Sequence, residues 1–241
     1  MLILGLQKMT LLDYPGKIAC TVFLGGCNFR CPFCHNGSLV LPENFGEAMD
    51  YEAFLAFLDS RRGRLQGVCV SGGEPTLWPD LPMLLSQIKS FGYSVKLDTN
   101  GTNPEMLSAL INDGLVDYVA MDIKNSPEKY ALTAGLADRP LALEEMPASV
   151  AEWMNAVKES AALLMQGRVD FEFRTTLVRE LHDAVDMKAI GRWLAGEEKF
   201  FLQTYRDEGD LLSDGFTPHT ADEKNILLST LRKYIPKAKI R

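Results

Sequence analysis

Ala19-Cys20-Thr21-Val22-Phe23-Leu24-Gly25-Gly26-Cys27-Asn28-Phe29-Arg30-Cys31-Pro32-Phe33-Cys34-His35-Asn36 is an apolar, strand-like run that breaks on two glycines and then delivers three thiols within eight residues. The spacing is CxxxCxxC, with one more residue in the first gap than the CxxC knuckle common in structural zinc sites. No fourth ligand of the same kind follows. Iron–sulfur clusters are usually held by four thiolates, and closed structural zinc is four-coordinate. Three thiolates therefore leave one metal position open to a non-protein ligand, and their softness favours iron–sulfur. Two readings stay open beside it: zinc completed by His35 or a distant cysteine, and three buried cysteines acting as small apolar residues. His35 directly follows Cys34, so its ring would have difficulty turning back to the same metal.

Downstream, short β-rich runs alternate with helical patterns, the rhythm of βαβ units on a parallel sheet. The runs Ala19 to Leu24, Gly67 to Ser71, Ser94 to Asp98, Asp117 to Asp122, Val169 to Thr175 and Lys199 to Thr204 predict six strands. Between them, Asp50 caps a helix carrying Phe54, Phe57 and Leu58, and a second helix places Leu81, Leu84, Leu85 and Ile88 on one face. Asn103-Pro104 opens a third helix with Leu107, Leu110 and Ile111 inward, and Gly114 stands where its C-terminal cap belongs. Val150, Trp153, Met154, Val157, Ala161 and Leu164 recur at helical spacing, so this Trp and Met read as core residues. A helix from Asp183 to Ala195 follows, and a Thr220/Glu223 capping box starts the last helix, with Leu227 and Leu231 inward. Six βα units are fewer than the eight of a closed TIM barrel, which predicts an open, partial (β/α)6 TIM-like barrel with parallel strands, forming one domain over 1–241. Residues 125–147 are the least patterned; a short helix near Pro127 to Tyr130 is expected there, within a long excursion that suits a lid or a docking surface.

In parallel βα folds the reacting groups sit on loops leaving the carboxyl ends of the strands. The predicted strands end in Cys27, Gly72-Gly73-Glu74, Asp98-Thr99-Asn100, Asp122 with Lys124, Arg174, and Gln203 with Tyr205, so the polar residues gather on one rim. Gly72 and Gly73 would let the backbone approach a ligand closely, although an ordinary strand-to-helix turn uses glycine too. Asp98 and Asp122 bring two carboxylates together, which requires a cation, a proton or Lys124 unless both are only strand-end caps.

The composition narrows the classes of function. With 46% hydrophobic and 24% charged residues, the 241-residue chain supports one substantial core. A net charge of −7 argues against binding a phosphate backbone, and the basic residues between Arg232 and Arg241 read as a solvated end. No 18-residue apolar run and no signal peptide are recognisable, so a cytoplasmic protein without a membrane partner is expected. Cys20 and Cys69, inside strands, read as buried apolar residues and cannot build a second four-cysteine cluster. His182 and His219 read as solvated loop residues, whereas His35 is placed to hydrogen-bond near the thiols.

The cysteine triplet, an aromatic before its last member, and Gly72-Gly73-Glu74-Pro75 together resemble the radical S-adenosylmethionine (SAM) superfamily. The longer stretch from Asp13-Tyr14-Pro15-Gly16 to Cys34-His35-Asn36 is similar to its glycyl-radical-enzyme activases, and most similar to anaerobic ribonucleoside-triphosphate reductase activating proteins. The resemblance implies that Cys27, Cys31 and Cys34 hold three irons of a [4Fe–4S] cluster, and that SAM chelates the fourth. It implies that Gly72, Gly73 and Glu74 receive the amino-acid end of SAM, with Glu74 accepting from the ammonium, and that Arg174 meets its carboxylate. Asp98, Thr99 and Asp122 would hold a monovalent cation, with Lys124 as charge partner. Some activases place a histidine on the sixth strand, where this chain offers Gln203 or Tyr205. The implied reaction is reductive cleavage of SAM to a 5′-deoxyadenosyl radical, which takes a hydrogen atom from a glycine Cα of a partner glycyl-radical enzyme. No side chain acts as a catalytic base. Flavodoxin or ferredoxin would donate the electron. A radical SAM enzyme acting on a small metabolite or nucleoside, and a non-catalytic metal-binding module, are the alternatives.

Overall fold

In the computed structural model, which describes residues 1–141, 145–208 and 210–241, the expected strands are β2 (Ala19–Leu24), β3 (Gly67–Gly72), β4 (Ser94–Thr99), β5 (Tyr118–Asp122), β6 (Asp170–Leu177) and β7 (Phe200–Thr204). They pair in sequence order and in parallel, from Ala19 beside Gly67 on β2 and β3 to Leu177 beside Thr204 on β6 and β7. The sequence pattern missed both edges of the sheet. Strand β1 (Ile3–Thr10) pairs antiparallel with β2, and the two-residue β8 (Lys239–Ile240) pairs in parallel with β7 at the other edge. Among the described residues β1 and β8 do not pair with each other, so the sheet is an open barrel of eight strands, β1 antiparallel at one edge and the other seven parallel.

The helices follow their local chemistry. Asp50 accepts from the Ala53 N–H to start α1 (Tyr51–Ser60), α2 spans Leu81–Ser90, and Asn103 accepts from the Met106 N–H ahead of Pro104 to start α3 (Pro104–Asn112). Each buries its apolar stripe: Phe54 and Leu58, then Leu81, Leu84, Leu85 and Ile88, then Leu107 and Leu110. The short α4 (Tyr130–Thr133) begins where the expected 127–130 helix was to end, after a turn. α5 (Ala148–Leu164) buries Met154 and leaves Trp153 half-buried against the core. α6 (Ala184–Trp193) and α7 (Ala221–Leu231) both start in full capping boxes, Asp183 with Asp186 and Thr220 with Glu223.

The stretch 125–147 departs from the expected lid over its first part; residues 142–144 lie outside the described residues. Asn125, Ser126, Tyr130, Ala131, Thr133 and Ala134 are buried, and the Ala134 carbonyl accepts from the Arg30 N–H at 2.8 Å. Gly135, at φ +70°, touches Arg30 so closely that a Cβ would lie 1.9 Å from its carbonyl oxygen. Residues 125–136 are thus a platform beneath the cysteine loop. The histidine expectation is also corrected. His182 is buried with its ring bonded to the Lys124 carbonyl, and His219 is buried with neither ring nitrogen bonded.

Candidate functional site

A cavity of about 240 Å³ opens at the carboxyl ends of the parallel strands. The segment Asp13-Tyr14-Pro15-Gly16 lies at the other end of β2, where the Lys17 N–H returns to the Tyr14 carbonyl and Gly16 sits at φ +73°. That is a type II turn, with proline and glycine at the positions it favours. It fixes the entry of β2, not the cavity.

Cys27, Cys31 and Cys34 all line the cavity, carried on the loop that leaves β2. The loop is held from several sides. Phe29 packs edge-on against Tyr130 and Trp153, and the Asn36 amide donates to the Gly72 carbonyl at 3.1 Å. His35 stacks on Tyr205 at 5.4 Å, and its Nε2 lies 2.6 Å from the Arg206 carbonyl. Gly37 donates to the Asp210 carbonyl, and a Cβ there would meet that oxygen at 2.1 Å. Burial raises all three thiols, Cys27 to about 11 and Cys31 to about 12. Such thiols stay protonated at neutral pH until a metal ion displaces the proton.

Gly72 and Gly73 line the cavity for a different reason from ligand approach alone. Their own chain is the crowded neighbour: a Cβ on Gly72 would lie 2.2 Å from the Leu24 carbonyl oxygen, and one on Gly73 2.0 Å from that of Gly26. The glycines let the ends of β2 and β3 pass backbone to backbone, and this forms the floor under the cysteine loop. Glu74 is the expected site residue that does not line the cavity. It is fully buried behind the wall, where Oε1 accepts from the Thr76 N–H, the Thr76 hydroxyl and the Thr99 hydroxyl, and Oε2 accepts from the Asn100 N–H at 2.6 Å. Burial pushes its carboxyl up against the pull of those donors.

The opposite wall is ionic. Arg174 Nε donates to Asp122 Oδ1 at 2.9 Å and Nη1 to Asp98 Oδ2 at 3.3 Å, while Lys124 Nζ reaches Asp122 Oδ2 at 3.0 Å. Lys96, from inside the barrel, pairs with Asp98 Oδ1, and the Ser71 hydroxyl donates to Asp98 Oδ2. Burial opposes ionisation of Asp122, but Arg174 and Lys124 outweigh it and hold the carboxyl at about 2. Asp98 is lowered as well, by Arg174 and Lys96 against the same opposition. The two aspartates are therefore paired by three cations and are not bare strand-end caps.

Two groups of the site were not singled out in the sequence: Thr176, which lines the cavity, and Lys96, which stands behind it. Thr176 follows Arg174 by two along β6, and Lys96 precedes Asp98 by two along β4, so period-2 alternation was the available signal. Asn100 closes the corner between the walls, donating to Asn28 Oδ1 at 2.8 Å and approaching Cys27 Sγ at 4.0 Å. Gln203 lines the cavity, whereas Tyr205 is buried behind His35. Among the described residues no three His, Cys, Asp or Glu side chains converge on a point that could hold a single metal ion. A cluster makes a different demand, one thiolate per iron, and three thiols spread over one cavity wall suit it.

The profile of the radical SAM superfamily matches residues 21–179, which include the cysteine loop, the glycine loop and the ionic wall. The chain belongs to the radical SAM superfamily. Membership implies a [4Fe–4S] cluster and SAM, and the three thiols beside a glycine-floored, charge-lined cavity fit both. A Methanocaldococcus jannaschii protein provisionally named as a glycyl-radical enzyme activating enzyme is 30% identical over all of this radical SAM chain and 95% of its own length. The 7-carboxy-7-deazaguanine synthase of Neisseria meningitidis is 33% identical over 45% of each chain, and the pyruvate formate-lyase-activating enzyme of Listeria monocytogenes is 32% identical over 57% of this chain and 59% of its own. Among solved structures, SuiB of Streptococcus suis bound to S-adenosylmethionine superposes with a TM-score of 0.65 at 12% identity, over 92% of this chain and 51% of that one. This chain spans about half of SuiB, and the likeness concerns the barrel alone. No described helix is long and apolar enough to cross a membrane.

Proposed function

We propose that this protein activates a glycyl-radical enzyme, with Cys27, Cys31 and Cys34 holding a [4Fe–4S] cluster and the ionic wall holding SAM beside it. The observation that carries the reading is the end-to-end similarity to an activating enzyme, over a chain whose three loop cysteines share one cavity with the strand-end charges. When bound, the cluster and SAM supply one-electron cleavage of the sulfonium and, through it, abstraction of a hydrogen atom from a glycine Cα.

The protein's own residues bind and orient. Cys27, Cys31 and Cys34 give up their protons to metal. The Gly72-Gly73 backbone and Thr99 edge the space between cluster and ionic wall, and Arg174 and Lys124 present cationic groups to the SAM carboxylate. Glu74 acts from behind, fixing Thr99 and the Asn100 N–H, and reaches the SAM ammonium only if its present donors rearrange. A monovalent cation at Asp98, Thr99 and Asp122 has the same requirement, since Lys96, Arg174 and Lys124 already meet both aspartates and Thr99 donates to Glu74. An anaerobic ribonucleotide reductase is the partner we assign, from the similarity of the Asp13–Gly16 and Cys34–Asn36 motifs, and a flavodoxin or ferredoxin the electron donor.

Anaerobic reconstitution tests the reading: about four irons per chain, 5′-deoxyadenosine formed with dithionite and SAM, and a glycyl radical signal on the added reductase are expected. 5′-Deoxyadenosine without that signal, from a panel of glycyl-radical enzymes, would turn the assignment to a small-molecule substrate. Zinc in place of iron would end it.

A further inference from the structure

The four charged residues lining the ionic wall cancel one another: Asp98 and Asp122 against Arg174 and Lys124. Lys96 stands behind that wall. It does not line the cavity, it is 1% exposed, and its ammonium is committed to Asp98 Oδ1 with the Cys69 thiol 3.7 Å away. A buried lysine is costly unless paired, and its partner could have been met by Arg174 alone. Its effect is on the sum. The chain of contacts runs Lys96, Asp98, Arg174, Asp122, Lys124, alternating in sign with a cation at each end. With Lys96 the corner carries one net positive charge; without it, none. Two other carboxylates lie nearby: Glu74 sits beyond Thr99 and is held by neutral N–H and O–H donors, and the buried Glu172, two residues before Arg174 on β6, is neutralised by the Arg241 guanidinium and also accepts from the Tyr118 hydroxyl.

We infer that Lys96 is a positioning residue for SAM: by satisfying Asp98 from inside the barrel, it leaves Arg174 and Lys124 with the surplus positive charge that a ligand carboxylate needs. The inference rests on the radical SAM reading and adds a residue that never touches the ligand. A charge several Å away, in a half-buried corner, changes affinity for a carboxylate about tenfold.

The test is equilibrium binding of SAM to the anaerobically reconstituted full chain, with iron content and thermal midpoint measured on each variant. Lys96→Met removes the surplus and is expected to weaken binding about tenfold with iron content unchanged. Asp98→Asn raises the surplus and is expected to bind at least as tightly as wild type. The double variant Lys96→Met/Asp98→Asn restores one net positive charge and is expected to return to within about threefold of wild type. Additive losses, with the double variant weaker than either single one, would overturn the inference and leave Lys96 a structural partner of Asp98. Should Lys96→Met not fold, Lys96→Gln keeps a donor to Asp98 without the charge; wild-type affinity in that variant would overturn the inference equally. Wild-type protein that assembles iron but binds no SAM would sink the parent reading as well, which separates the two failures.

Discussion

The two walls of the cavity solve opposite problems. The ionic wall on β4, β5 and β6 is complete as it stands: each carboxylate has its cations, and each bond runs between rigid strand ends. The cysteine wall is incomplete. Its loop is tied down by backbone hydrogen bonds to Glu74, Ala134 and Asp210, yet the thiols it presents are protonated, Cys31 buried and Cys27 and Cys34 half-buried, and Lys124, already paired with Asp122, is the cation that acts on all three. One wall is folded by its charges, and the other is folded in spite of its ligands, which gain their partner only with metal. A site built this way should lose its two halves separately.

The largest separation is expected from Cys31→Ala. The side chain is small and buried, so the fold should persist with a cooperative thermal transition, while iron incorporation and SAM cleavage fall to background. Retention of cleavage would remove the cluster assignment. Arg174→Leu attacks the other wall. Asp98 and Asp122 keep one lysine each but lose the cation between them, and unfolding in urea should show a loss of about 3 kcal/mol, near the lower end for breaking a buried ion pair. SAM binding should fail, yet iron should still assemble on the three cysteines.

Acid should move the ionic wall and the buried Glu74 behind it in opposite directions. Asp122 and Asp98 have folded pKa values below their unfolded ones, so the stability they contribute is present above about pH 4 and is lost as pH falls toward 2. Glu74 is raised by burial, so the folded state takes up its proton first and gains stability as pH falls toward the unfolded value. Asp122→Asn should therefore flatten the acid limb of a stability-against-pH curve below about pH 4, and Glu74→Gln should remove the gain that comes as pH falls toward about 4.5. Parallel curves for both variants would contradict the assigned shifts.

The unequal legibility of the two walls has a physical cause. Apolar β runs and capping residues act locally, so the six central parallel strands and the Asp50, Asn103 and Thr220 caps could be read from sequence, whereas the Asp183 capping box was legible only as a helix start. The rim residues followed, because a strand's end fixes where its next residue goes. What could not be read depends on which neighbour a side chain meets. Glu74 was legible as a carboxylate at the rim, but its capture by Thr76, Thr99 and Asn100 needs the tertiary turn. Lys96 looks like a charge in the middle of a strand until Asp98 is seen on the same interior face. His182 and His219 sit in irregular chain, which usually means solvent, and are buried only because the segments around Lys124 and Val178 fold over them. β8 is two residues long and β1 runs against the others, so neither fits a βα period.

Asn36 is the bond between the two loops that meet on the cysteine side, and it offers the finest cut. Its amide spans from just past the third cysteine to the Gly72 carbonyl, at 3.1 Å, in a place where that carbonyl stands at the end of β3 with no further strand residue to serve it. Asn36→Ala should cost about 1 kcal/mol, the worth of one hydrogen bond plus the carbonyl left unmet. Neither wall loses a ligand or a charge, so iron content and the acid limb should match wild type. What should change is how firmly the cysteine loop sits on the glycine floor, read as SAM cleavage slowed severalfold at unchanged iron occupancy, because reacting groups lose rate when their mutual geometry loosens. If cleavage is unaffected, the glycine backbone contacts, the Asn28–Asn100 bond and the Trp78 bond to the Gly25 carbonyl hold the cysteine loop in place without Asn36, and the cavity is more rigid than that one amide suggests.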